Sequence, residues 1–219
     1  MLLTFNCPSL GTIERHLLRN DDYLMDAETK ANIGAVVAVR TVRDGKSLYL
    51  LVKKAPVPGY VYSGMWALPG GMVRIQGSPV TPLLLPERAG ERTLSETNVV
   101  IAADSLHIAD GVPPATEYSV KGNDCTVIVV PFVFDAPLPE AAIADMHSNH
   151  RSIDTVQVAN PLSCMADIAP ANRVILARLI WPGLTSKEKD SIRETVSDAV
   201  TLSNAIAKRI GFPRLAEWF

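Results

Sequence analysis

Apolar positions along the chain fall into three rhythms, and each predicts a different kind of element. Between Asn32 and Val52 two apolar blocks, Ile33-Gly34-Ala35-Val36-Val37-Ala38-Val39 and Ser47-Leu48-Tyr49-Leu50-Leu51-Val52, flank Asp44-Gly45. A β-branched run and a second apolar run joined by Asp-Gly predict a hairpin. A third block, Trp66-Ala67-Leu68-Pro69-Gly70-Gly71-Met72-Val73, predicts a strand that enters a Pro-Gly-Gly turn. Glycine there permits positive φ and close backbone approach. Val99-Val100-Ile101-Ala102 predicts a further extended segment, broken at Asp110-Gly111. Tyr118-Ser119-Val120 and the run from Thr126 to Phe134 predict a second hairpin across Lys121 to Asp124, its second strand central in the sheet until Pro131. Ile153 to Val158 alternates with period two, the pattern of a strand with one solvated face.

The remaining rhythm is helical. Ile13, Leu17 and Leu18 interleave with Glu14, Arg15 and Arg19 as a short amphipathic helix, and Pro86 to Thr97, rich in charged and hydroxyl side chains, predicts another. Residues 135–150 read as a loop or short helix. Pro170 suits the first turn of a helix through Trp181, which Pro182-Gly183 ends. Thr185 with Glu188 three residues later has capping-box spacing. Behind it Ile192, Val196, Ala199, Ser203, Ile206 and Ile210 follow one helix face until Gly211 and Pro213. That stripe must be covered, by the sheet domain as the default or by a second copy in a homodimer. Strands followed by helices argue an α/β architecture with helices over a mixed sheet. The expected organisation is an N-terminal segment (1–30), a sheet domain (31–181) and a C-terminal helix (182–219).

Composition narrows the functional classes. A chain of 219 residues with 47% hydrophobic and 20% charged residues reads as globular. The longest apolar run is far shorter than the ~20 residues of a membrane span. The N-terminus lacks the pattern of a secretory signal, so a cytoplasmic location is expected. Cys7, Cys125 and Cys164 are an odd number without metal-ligand spacing and read as buried thiols. A net charge of -2 and a pI near 6.1 give no footprint for nucleic acid, while a nucleotide-sized partner remains open.

Candidate chemistry concentrates between Gly64 and Val100, where a strand, a glycine turn, a proline-rich connection and a glutamate-bearing helix follow in order. Trp66, Leu68, Pro69, Gly70 and Gly71, followed by a glutamate-bearing helix, resemble the Nudix box of the Nudix hydrolase superfamily. The box runs from a glycine through five residues to a glutamate, then seven more to Arg-Glu, an apolar residue, any residue, Glu-Glu, any residue, Gly and an apolar residue. Glutamates three and four apart share a helix face, where they hold magnesium or manganese against a diphosphate. The resemblance implies an α/β/α sandwich with a mixed β-sheet, here with a C-terminal helical extension. It also implies Mg2+- or Mn2+-dependent hydrolysis of a nucleoside diphosphate linked to another moiety.

This chain departs from the box at several positions. Gln76-Gly77-Ser78 stands where the first glutamate is expected, and Pro79 to Pro86 adds residues before the helix. Two registers compete in the helix. One aligns Arg92-Thr93-Leu94-Ser95-Glu96-Thr97 with Arg-Glu-apolar-x-Glu-Glu. The other puts Asn98 at the glycine, reverses Glu91-Arg92 and leaves Ser95 at a glutamate. Glu96 fills a glutamate position in both. The expected metal ligands are therefore Glu96, Glu91 and Glu87, with Glu96 and Glu91 catalytic; Glu91 and Glu96, five apart, lie about 140° around a helix. Gly70, Gly71, Arg74, Trp66 and Arg92 are the expected substrate-binding residues. Tyr60 and Tyr62 are further candidates for stacking a base, and Glu140, Asp145, His147 and His150 for a late loop contribution. The alternative to hydrolysis is a nucleotide-binding or regulatory domain that keeps the pocket and has lost the acid cluster.

Overall fold

The computed structural model describes residues 31–58, 62–73, 85–118, 126–134 and 136–210. The predicted helix over 13–19, Cys7, Cys125, Tyr60, Arg74, Gln76 to Ser78 and the second hairpin's tip at Lys121 to Asp124 lie outside these residues.

Two strands organise the sheet. β1 (Ala31–Arg43) is long enough to serve three partners. Its first part pairs in parallel with β7 (Thr126–Phe134) and antiparallel with β4 (Gly70–Val73), and its last part pairs antiparallel with β2 (Lys46–Lys54). Asp44 and Gly45 join β1 to β2 with φ of 51° and 72°, the two left-handed residues of a tight hairpin turn. β2 is flanked in turn by β3 (Trp66–Ala67) and β8 (Ile153–Ala159). β5 (His107–Ile108) and β6 (Ala115–Tyr118) pair with successive parts of β7.

β7 continues through Pro131 instead of stopping there. A residue in a strand points its N–H and C=O to the same side, and the Pro131 carbonyl accepts from the Ala109 amide at 3.1 Å. The missing donor therefore faces the short gap between β6 and β5, and the parallel ladder to β1 loses nothing. The expected strand over Val99 to Ala102 does not form; that segment leads into a 3-10 turn at Ala103–Ser105.

Period-two burial places a core on each face. Ile33, Val37, Val39 and Leu50 pack with Leu85, Ala89 and Val99 against α1 (Leu85–Thr97). Val36, Ala38, Leu51, Val127 and Val129 pack on the other face with Val174 and Ile175 of α3 (Pro170–Ile180) and Ile192, Val196 and Ala199 of α4 (Ser186–Arg209). A short α2 (Glu140–Ala144) sits in the connection to β8. The layers are α/β/α around a mixed sheet, as expected.

α4 is tied to this core by more than its stripe. Thr116 of β6 donates its amide to Ser203 Oγ at 2.9 Å and its hydroxyl to the Ser203 carbonyl at 2.7 Å. Buried Arg173 of α3 donates to the carbonyls of Ala166, Ile168 and Thr195 and to Asp198. The helix begins with the expected capping box, Thr185 and Glu188 each satisfying a backbone N–H of the other. The stripe that a second copy would have covered is buried within the chain.

Candidate functional site

Between the β1–β4 ladder, the end of β2 and the start of α3 lies a cavity of about 570 Å³, lined among others by Gly34, Lys54, Tyr62, Gly70, Gly71, Arg92, Glu117, Tyr118, Arg151 and Asn172. Its volume falls in the ~300–1,000 Å³ range of small-molecule sites. Lys54, Arg92 and Arg151 against the single carboxyl of Glu117 give the lining an excess of positive charge.

The glycines make the close approach possible. Gly70 has φ of 148°, and a Cβ there would run into the Ala35 carbonyl and lie 2.7 Å from Val36 Cα, both backbone atoms of β1. A Cβ on Gly71 would meet Arg92 Nε at 2.7 Å, so the absence of a side chain leaves the seat in which the guanidinium lies.

Glu96, on the last turn of α1, is fully buried. Its Oε2 accepts from the Gly70 amide at 2.9 Å, and its Oε1 from Arg92 at 3.1 Å and Lys54 at 3.4 Å. Arg92 also donates to His150 Nε2 at 2.8 Å. A guanidinium can only donate, so that nitrogen accepts and the imidazole proton sits on Nδ1, which faces Ser152 Oγ at 2.6 Å. Burial and the Arg92 charge hold His150 below its ordinary pKa. Arg92 Nε is buried and donates to nothing.

A second carboxyl lies across Lys54. Burial pushes the Glu117 pKa up to about 7, against a weak 3.4 Å hydrogen bond from the Ala171 amide in the first turn of α3 and the charge of Lys54. Asn172 on the next position accepts from the Leu68 amide at 3.0 Å, which pins α3 to the lead-in of the glycine turn.

The end of α1 decides between the two registers. Asn98 has φ of 60°, and its amide donates to the Leu94 carbonyl at 2.8 Å, a left-handed helix cap of the kind glycine usually makes. Thr93 is fully buried, Leu94 is 42% exposed and Val99 is buried. Thr93 thus fills the apolar position, Asn98 the glycine and Val99 the closing apolar residue. Ser95 and Glu96 fall where the box has its Glu-Glu pair, and Arg92 falls where it has the glutamate after the arginine.

The remaining expected site residues are dispersed. Glu91 is exposed and pairs with Arg88 at 2.7 Å, and Glu87 is exposed on the same outer face. Neither reaches Glu96, because helix geometry puts them on the solvent side. Trp66 does not line the cavity; it packs on the α3-side core beneath Lys53, whose ammonium lies 5.8 Å from the ring centre. Asp145 accepts from Asn98, His147 turns back onto the Asp145 carbonyl and Glu140 pairs with Arg43, so of that loop His150 alone joins the site. Among the described residues no three Asp, Glu, His or Cys side chains come together to hold a metal ion. Glu96 has each oxygen engaged by protein donors, so the donor set does not fit the divalent cation that the box implies.

Lys54, Glu117, Arg151 and Asn172 did not stand out in the sequence. Strand parity would have found two of them: Lys54 follows Leu50 and Val52 inward, and Glu117 follows fully buried Ala115.

No family model and no curated protein matches the chain. Solved structures do. A MutT protein from Methanosarcina mazei Go1 superposes with a TM-score of 0.50 at 16% identity, over 71% of this chain and 96% of that one. The Nudix domain of Shewanella oneidensis NrtR, complexed with ADP ribose, also gives 0.50 at 16% identity, over 76% of this chain and 99% of that one. At this identity the likeness concerns the course of the backbone, and together with the sheet order and the two helical layers it shows that this chain has the Nudix fold.

Proposed function

We propose that the chain is a ligand-binding Nudix-fold domain whose cavity takes a nucleoside diphosphate derivative. The observation that carries this reading is the cationic lining: Lys54, Arg92 and Arg151 converge on a cavity whose floor is glycine backbone. Guanidinium and ammonium groups are the natural partners of phosphate oxygens. The ADP ribose held by the NrtR domain supports the choice of ligand class. Tyr62 and Tyr118 supply aromatic surface in the same cavity for the base or a sugar.

The test is isothermal titration with ADP ribose, ADP and AMP, once in EDTA and once in Mg2+. Saturable binding of a diphosphate in EDTA, weakened at least ten-fold by K54M at about 1.4 kcal/mol per decade, is the expected result. Absence of binding by every diphosphate under both conditions overturns the reading.

A second reading, metal-dependent hydrolysis of the same ligand class, is favoured by one observation: a buried carboxylate, Glu96, stands at the last acidic position of the box-like helix, and this reading requires a metal to displace the protein donors on its oxygens. Release of nucleoside monophosphate in Mg2+, lost in E96Q, would establish it.

A further inference from the structure

The contacts of Glu96 carry an inference about why a cation should be absent from this site. Arg92 and Glu96 are four positions apart, so both project from one face of α1, one turn apart. In the register set by Asn98, that is the spacing at which the box places two carboxylates around a cation. Here one of the two is replaced by a positive charge, and the pair closes on itself at 3.1 Å. Lys54 adds a second positive charge to the same oxygen at 3.4 Å, and the other oxygen takes the Gly70 amide. The guanidinium is also held in place: Gly71 leaves it room, and His150 receives its other nitrogen at 2.8 Å.

We propose that Arg92 is a built-in counter-ion that occupies the electrostatic role of the divalent cation, so that Glu96 takes no metal and the site meets its ligand through protein cations alone. The inference concerns the ligand site proposed above, but its metal-free half stands on the Arg92–Glu96 geometry alone. Each terminal nitrogen of Arg92 has one N–H spent on protein and a second left over. Lys54 likewise has three donors and spends one on Glu96. An entering phosphate would meet these donors with no metal between. Arginine offers planar, bidentate recognition where a metal would offer a point charge.

The test uses Mn2+ alone, read by the loss of its free-ion electron paramagnetic resonance signal, so no nucleotide is involved. Wild-type protein at millimolar Mn2+ is expected to take up none. R92E restores two carboxylates one turn apart and is expected to bind the ion more than about ten-fold more tightly than wild type, because a repelling charge becomes an attracting one. The double variant R92E/E96Q is expected to lose that gain. If R92E does not fold, as judged by circular dichroism, R92Q removes the charge at similar length and is expected to show weaker uptake that depends on Glu96. Uptake by the wild type that E96Q abolishes overturns the inference, as does a folded R92E or R92Q that gains none. Failure of the diphosphate titration in EDTA with no Mn2+ uptake by the wild type would reject the ligand and leave the counter-ion role intact.

Discussion

Replacing Glu96 by Gln isolates what the buried carboxylate does for the fold. The substitution keeps size and shape, and the amide oxygen still accepts one hydrogen bond. It removes the negative charge beneath Arg92 and Lys54 and turns an NH2 group toward one set of donors. Hydrogen bonds to charged groups contribute about 1.5–3 kcal/mol each. The bonds from Gly70 at 2.9 Å and Arg92 at 3.1 Å are within normal range, while that from Lys54 at 3.4 Å is long and adds little. The Arg92 side chain is 35% exposed, so water relieves part of its loss, and that of Lys54 is 13% exposed, which leaves its charge poorly solvated. The expected destabilisation of E96Q is about 2–4 kcal/mol in urea denaturation at neutral pH. E91Q, which touches only the exposed pair with Arg88, should stay within about 0.5 kcal/mol of wild type and serves as the control. An E96Q loss no larger than that of E91Q would refute the picture of a buried, internally neutralised carboxylate.

Other substitutions test neighbouring features. Because Glu117 titrates near 7 in the folded chain against 4.5 as its ordinary value, the native state holds the proton more tightly than the unfolded one, and stability should fall as pH rises from about 4.5 through about 7. E117Q should remove that slope and leave the protein about 2–3 kcal/mol more stable than wild type at pH 8 while matching it at pH 4, read from denaturation series; parallel pH curves would contradict this. Asn98 adopts φ of 60°, so N98A should cost about 1 kcal/mol and N98G should be neutral or stabilising in thermal unfolding, and equal effects would remove the basis for the register. G70A forces a Cβ into β1 backbone and should destabilise by about 3 kcal/mol or more in urea, with a smaller loss showing that β4 can shift away freely.

Elements with strong periodicity were readable from residues alone. The Asp44-Gly45 hairpin, the helix from Pro86 to Thr97 and the capped C-terminal helix each combine a rhythm with punctuation, and each is present. Pro131 and Val99 to Ala102 misled because strand propensity is overruled by which neighbour offers hydrogen bonds: β7 had β1 for a partner through its proline, and Val99 to Ala102 had none. Glu96, Gly70, Gly71 and Arg92 were legible through the box resemblance. Glu87 and Glu91 have the residue type of metal ligands, but helix geometry turns them outward. His150 was one of four loop candidates, and only the fold brings it from 58 positions away to Arg92. Lys54 and Glu117 come from different strands and meet only once β1 and β7 have placed β2 and β6 on either side, an arrangement that local patterning does not express.

The position of Lys54 between two carboxylates has a thermodynamic consequence for any anion that enters. Its charge is one of the influences holding the Glu117 pKa down, while burial pushes it up to about 7. A phosphate that draws the ammonium toward itself and adds its own negative charge raises the proton affinity of Glu117 further. Near pH 7, ligand capture should therefore draw protons from the medium. The heat of titration should then vary with the ionisation enthalpy of the buffer, and affinity should decline as pH rises above neutrality. E117Q should abolish the buffer dependence, which separates Glu117 from His150 as its origin. In this way the cavity would couple occupancy to the hydrogen-ion activity of its surroundings, with one lysine as the link.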